Sequence, residues 1–96
     1  MKIRKVSPCA ESNDGLNIEF YFEHKYDLKL LVRFLEENDN YDTVQYFENS
    51  NILWFRTCEK NVLVEKEGLI TVYNVENIEK GVDIVKNIIK IIKKGE

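Results

Sequence analysis

ILWFRTCEKNVLVEKEGLITVYN, residues 52–74, decides the fold. β-Branched and aromatic residues crowd three short runs, 52–58, 61–66 and 69–74, and the breaks between them, Glu59-Lys60 and Glu67-Gly68, leave room only for tight turns. TVQYFE, residues 43–48, has the same character and is set off from Ile52 by Asn49-Ser50-Asn51. Four such runs in succession predict an antiparallel meander. Successive strand residues point to opposite faces, so Leu53 and Phe55 share one side of the run 52–58 while Ile52, Trp54 and Arg56 share the other. That assignment depends on register, because a slip of one residue exchanges the faces.

Upstream, LNIEFYFE (residues 16–23) alternates Leu16, Ile18, Phe20 and Phe22 with Asn17, Glu19, Tyr21 and Glu23, the period-2 pattern of a half-buried strand. KIRKV (residues 2–6) reads as a shorter strand ended by Pro8, which has no N–H to offer a ladder, and Asn13-Asp14-Gly15 then turns the chain. Between the second strand and the meander, Asp27 can cap LKLLVRFLEEN, in which Leu28, Leu31, Val32 and Leu35 fall on one helical face. The element order is β-β-α-β-β-β-β-α. Helices returning to one face of a mostly antiparallel sheet predict an α+β two-layer sandwich, a single domain over residues 1–96.

The closing helix, residues 77–94, starts with Glu76 and Glu79 and ends with Lys93 and Lys94, which suits the helix dipole. Ile78, Val82, Val85, Ile89 and Ile92 form the stripe expected to face the sheet. Ile84, Ile88 and Ile91 form a second stripe beside it, so the apolar arc is wider than one sheet requires. Either this helix is sunk between sheet and first helix, or the second stripe meets another subunit. Gly81 inside the helix costs about 1 kcal/mol against alanine, and close approach of helix to sheet is the reading that explains it.

Composition narrows the function. Charged residues make up 32% of the 96 residues, and the formal net charge of -3 offers no long-range attraction to phosphate, so nucleic acid is a disfavoured partner. No apolar run reaches membrane-span length, and a cytoplasmic location is expected. The two cysteines, Cys9 and Cys58, stand on separate segments and form neither a CxxC pair nor a zinc-ligand cluster, and the sole histidine, His24, has no partner group supplied nearby. A metal shared by Cys9 and Cys58 would require the two to meet in space. No phosphate loop, HExxH motif or nucleophile elbow occurs, so neither catalytic residues nor a cofactor is expected.

What remains is surface. Trp54 and Arg56, joined by Tyr73, Thr71, Tyr21 and Tyr46, are residue types enriched in protein interfaces, and the second stripe of the last helix adds Ile84, Ile88 and Ile91. The expectation is a non-catalytic interaction or regulatory module, a homodimer or the companion of another protein. The runner-up is a nucleic-acid-binding module that stacks bases on the aromatic face, helped by Arg56, Lys60 or Lys66 against Glu65 and Glu67. A small-ligand or metal site is third.

Two resemblances accompany this reading. Without its first strand, the element order resembles one half of the saddle-shaped repeat of the TATA-binding protein, in topology and loosely in ILWF, a strand turn and a closing helix. Over nearly the whole chain, VSPC (residues 6–9), DLKLLVRFLEENDNY (27–41) and GLITVYNVENIEKGVDIVKNIIKII (68–92) resemble the N-terminal domain of a group of archaeal and bacterial iron-sulfur-binding proteins. In that family the domain precedes a cysteine-rich cluster-binding module, whereas this sequence stops at Gly95-Glu96. The resemblance therefore implies the accessory domain alone.

Overall fold

Strands β1 (Lys2–Pro8), β2 (Leu16–Tyr21), β3 (Tyr41–Phe47), β4 (Ile52–Thr57), β5 (Lys60–Glu65) and β6 (Leu69–Val75) form one antiparallel sheet in the order β1-β2-β6-β5-β4-β3. Helix α1 (Leu28–Glu36) follows β2 and helix α2 (Ile78–Lys94) closes the chain. A computed structural model describes residues 1–8, 15–23 and 27–94. The architecture is α+β, as the pattern of runs predicts, with both helices on one face.

Alternation fixes that face. Ile18 and Phe20 of β2, Ile70 and Val72 of β6, Val62 and Val64 of β5, and Leu53 and Phe55 of β4 are all buried. They join Leu28, Leu31 and Leu35 of α1 and the inner side of α2 in one hydrophobic cluster. Both helices begin with a side-chain cap. The Asp27 carboxylate accepts from the Lys29 amide at 2.9 Å, and the Asn77 carboxamide oxygen accepts from the Lys80 amide at 2.9 Å. An ion-pair network also ties the start of α2 to the start of β5, with Glu76 3.0 Å from Lys60 and 3.4 Å from Lys80. The Lys60 ammonium first, then the backbone amide of Glu76 itself and Lys80, hold the Glu76 carboxyl down to about 2.

Gly81 sets how α2 sits. A Cβ there would come within 2.9 Å of Ile18 Cδ1 and within 3.6 Å of both Phe20 Cζ and Val75 Cγ2, so the bare backbone presses on the sheet. This contact rotates the helix away from the expected setting. Ile84 and Ile88, read as surplus, are 8% and 0% exposed and belong to the core, and Ile91 is half-buried against it. They share that cluster with the leucines of α1, so the stripe expected to be free is part of the core. Ile78, expected on the sheet-facing stripe, is instead 43% exposed.

Irregularities concentrate at the sheet edges and turns. Both edge strands are bulged, β1 between Ile3 and Lys5, and β3 between Asp42 and Gln45, where Thr43 has φ 52°. β3 begins at Tyr41, two positions ahead of the expected start at Thr43, because Tyr41 pairs with Thr57 and packs edge-on against Phe55 at 5.6 Å. Gly15, read as part of a turn, is buried where a Cβ would overlap the Asn74 carboxamide. Asn74 itself has φ 59° and donates its backbone N–H to the Asn17 side-chain oxygen at 3.0 Å. Among the described residues, no helix is long and apolar enough to cross a membrane.

Candidate functional site

The second face of the sheet is built from the alternate residues of the same strands. One cross-strand row, Gln45, Trp54, Leu63, Thr71, Glu19 and Lys5, runs across all six strands, and no described helix packs on it. Ile52 pairs with Phe47 on one side and Glu65 on the other, and Tyr21 pairs with Leu69 and Lys2. The result is an apolar and aromatic centre with charges of both signs around it.

Trp54 and Tyr73 organise that centre. Their rings stack across the width of β5, with centroids 5.5 Å apart and planes 20° from parallel. On the same side, Thr71 is 6% exposed although no helix covers it. Burial first, and then the carboxylates of Glu19 and Glu65, push the Tyr73 phenol above its ordinary pKa, so it remains a neutral donor. Phe47, 47% exposed, and Tyr21, 39% exposed, extend the aromatic surface toward the two edges.

The structure therefore brings together Trp54, Tyr73, Thr71 and Tyr21, and places Arg56 on the same face. It moves Tyr46 to the helix side, since Tyr46 pairs with the buried Leu53 and packs on the core. Phe47 takes the open position instead. The bulge between Asp42 and Gln45 fixes the alternation there, and no residue type in TVQYFE announces it. Leu63 and Leu69, which also belong to this face, were legible only as strand residues. Ile84 and Ile88 lie in the core and take no part.

The cations expected beside the aromatics are engaged elsewhere. Lys60 is paired with Glu76 at the helix layer. Lys66 lines a hollow with Asp27, Lys29 and Glu48 near the start of α1. Arg56 remains, exposed, with Nη2 donating to the Glu59 carbonyl at 3.3 Å. The shallow depression beside it, lined by Thr43, Gln45, Phe47, Trp54 and Asn61, has a volume of about 260 Å³, below the usual range for small-molecule pockets.

Cys58 is not a strand residue. Thr57 pairs with Lys60, so Cys58 and Glu59 are the two turn residues, with φ 53° and 63°, both positive as a type I′ turn requires. The Cys58 thiol is free and exposed. Nearby Tyr41 has its pKa raised, by burial first and by Cys58 second. Cys9 and His24 lie outside the described residues. Among the described residues, no three His, Cys, Asp or Glu side chains gather as a metal-ligand set. No protein-family model, curated protein or solved structure matches this chain.

Proposed function

We propose that this protein is a non-catalytic interaction module that associates through its open sheet face, with a second copy of itself as the partner. The observation that carries this reading is the stacked Trp54–Tyr73 pair on a sheet face over which no described helix lies. Aromatic residues and Arg are the types enriched where proteins meet. A two-fold contact sets a patch against its own copy, so the patch must be self-complementary. Lys2, Lys5 and Arg56 share this face with Glu19, Glu65 and Asp42, which gives a rim able to pair with itself.

The nucleic-acid reading fares worse on the same face. A stacked Trp–Tyr pair beside Arg56 suits base stacking, but Glu19 and Glu65 act on Tyr73 and would repel the phosphates. The family likenesses enter as part of the proposal. The order β2-β6-β5-β4-β3, with helices after β2 and β6, supports a likeness to one repeat of the TATA-binding protein. The resemblance to the N-terminal domain of iron-sulfur-binding proteins supports an accessory role. Neither assigns a ligand to this chain.

Trp54 is the sole tryptophan, so its fluorescence reports on this face alone. Acrylamide should quench it less at high protein concentration than at low. Quenching that is independent of concentration from high micromolar to nanomolar protein would contradict the reading.

A further inference from the structure

A hollow of about 550 Å³ lies on the helix side of the molecule, within the usual range for small-molecule pockets. Three parts of the fold line it. Asn87 and Ile91, one turn apart on the same flank, come from α2; Asn38 and Asn40 come from the connection between α1 and β3; Tyr41 and Thr57 are paired residues of the sheet. Thr57 follows Leu53 and Phe55 on the side of β4 that faces the helices. The connection is a hydrogen-bonded turn. Asn38 donates its amide to the Leu35 carbonyl at 3.2 Å, its side-chain oxygen accepts from the Asn40 amide at 3.0 Å, and its carbonyl accepts from the Tyr41 amide at 3.1 Å.

The lining has a uniform chemistry. Although 32% of the chain is charged, no Asp, Glu, Lys or Arg is among the described residues that line this hollow. Two other hollows differ: Lys29, Glu48 and Lys66 line the one at the start of α1, and Lys60, Glu76 and Lys80 line the one along the first half of α2. An ionised ligand in the uncharged hollow would lose hydration without gaining an ion pair. Three carboxamides, a phenol and a hydroxyl instead supply donors and acceptors side by side. Thr57 is 7% exposed, yet its hydroxyl donates to the Cys58 sulfur, a weak acceptor, at 3.9 Å. A buried hydroxyl normally has a stronger partner than that.

We propose that this hollow binds a neutral sugar ring. Each sugar hydroxyl both donates and accepts, which suits the carboxamides of Asn40 and Asn87 and the hydroxyls of Tyr41 and Thr57. The C–H face of the ring suits Ile91 and the Tyr41 ring, both of which are half-buried against the core. An extended peptide is held by main-chain pairing, whereas the polar groups gathered here belong to side chains. A nucleobase is held by stacking on aromatic rings, and Tyr41 is the one ring among the described residues of the lining.

The test titrates the isotope-labelled full chain with glucose, galactose, mannose and N-acetylglucosamine and follows the backbone amides by NMR. At least one neutral sugar should give saturable shifts centred on residues 38–41, 57–58 and 87–91. Asn40→Ala and Asn87→Ala, both at exposed positions, should each weaken binding by about tenfold and leave the thermal melt unchanged. Thr57→Val keeps the shape and removes the hydroxyl, and should weaken binding by a similar factor. Glucuronate and galacturonate should bind about tenfold more weakly than the neutral sugar that binds best. The proposal is overturned if none of the four neutral sugars saturates, if the shifts centre on Trp54 and Tyr73, if both Asn variants bind like the native chain, or if a uronate binds as well as the neutral sugars. It is also overturned if adenosine or a capped tetra-alanine peptide binds more tightly than every sugar.

Discussion

Within β4, neighbouring side chains have opposite fates. Leu53 and Phe55 are sealed in the core on the helix side at 0% and 1% exposure, while Trp54 and Arg56 stand on the face that no described helix covers. The first pair is held by packing, which depends on volume. The second is held by a ring stack and a hydrogen bond to the turn, so it keeps a defined shape without being part of the core. One strand thus serves stability on one side and presents a preformed surface on the other.

The largest effect expected is the loss of the buried ring. Phe55→Ala should destabilise the fold by about 3–5 kcal/mol, whereas Trp54→Ala should cost roughly 1–2 kcal/mol, as read by chemical denaturation at one fixed protein concentration. Equal costs would erase the distinction between the faces. Next comes the contact that seats α2. Gly81→Leu should cost about 1–3 kcal/mol by forcing the helix off Ile18, and a neutral result would show that the helix sits farther from the sheet.

A smaller effect, of opposite sign, belongs to the turn after Thr57. Asn and Gly adopt positive φ more readily than Cys and Glu, so replacing Cys58 by Asn and Glu59 by Gly should raise stability by about 1 kcal/mol. Because Arg56 bonds the backbone of residue 59, the open face should keep its geometry. Last is the pH response of the helix layer. Glu76 has a folded pKa of about 2, below its ordinary 4.5, so its stabilising contribution is complete above the ordinary value and is lost as pH falls toward 2. Thermal melts of the native protein and Glu76→Gln should therefore differ near neutrality and converge near the bottom of that window. A constant difference would remove the Lys60–Glu76 link from the account.

Much of this contrast is written in the sequence. Period-2 alternation in residues 16–21 and 52–57 assigns the faces because each strand buries only one of them. Asp27 and Gly81 likewise announce a cap and a close approach through their own chemistry. What the sequence does not display is decided by contacts between distant segments. The seating of Gly81 on Ile18 rotates α2 and carries Ile84 and Ile88 inward and Ile78 outward. The bulge at Thr43 puts Phe47 rather than Tyr46 on the open face, since either aromatic suits either side until the pairing with β4 is known.

Sedimentation velocity on the native protein and on Trp54→Glu, each across a dilution series, tests the central claim most directly. A charge on the open face should abolish self-association while leaving the core intact, because Trp54 lies outside the buried cluster. The account predicts a native dimer that dissociates on dilution and a variant that is monomeric throughout. A native protein that is monomeric at high micromolar concentration, or a Trp54→Glu dimer as tight as the native one, would contradict it.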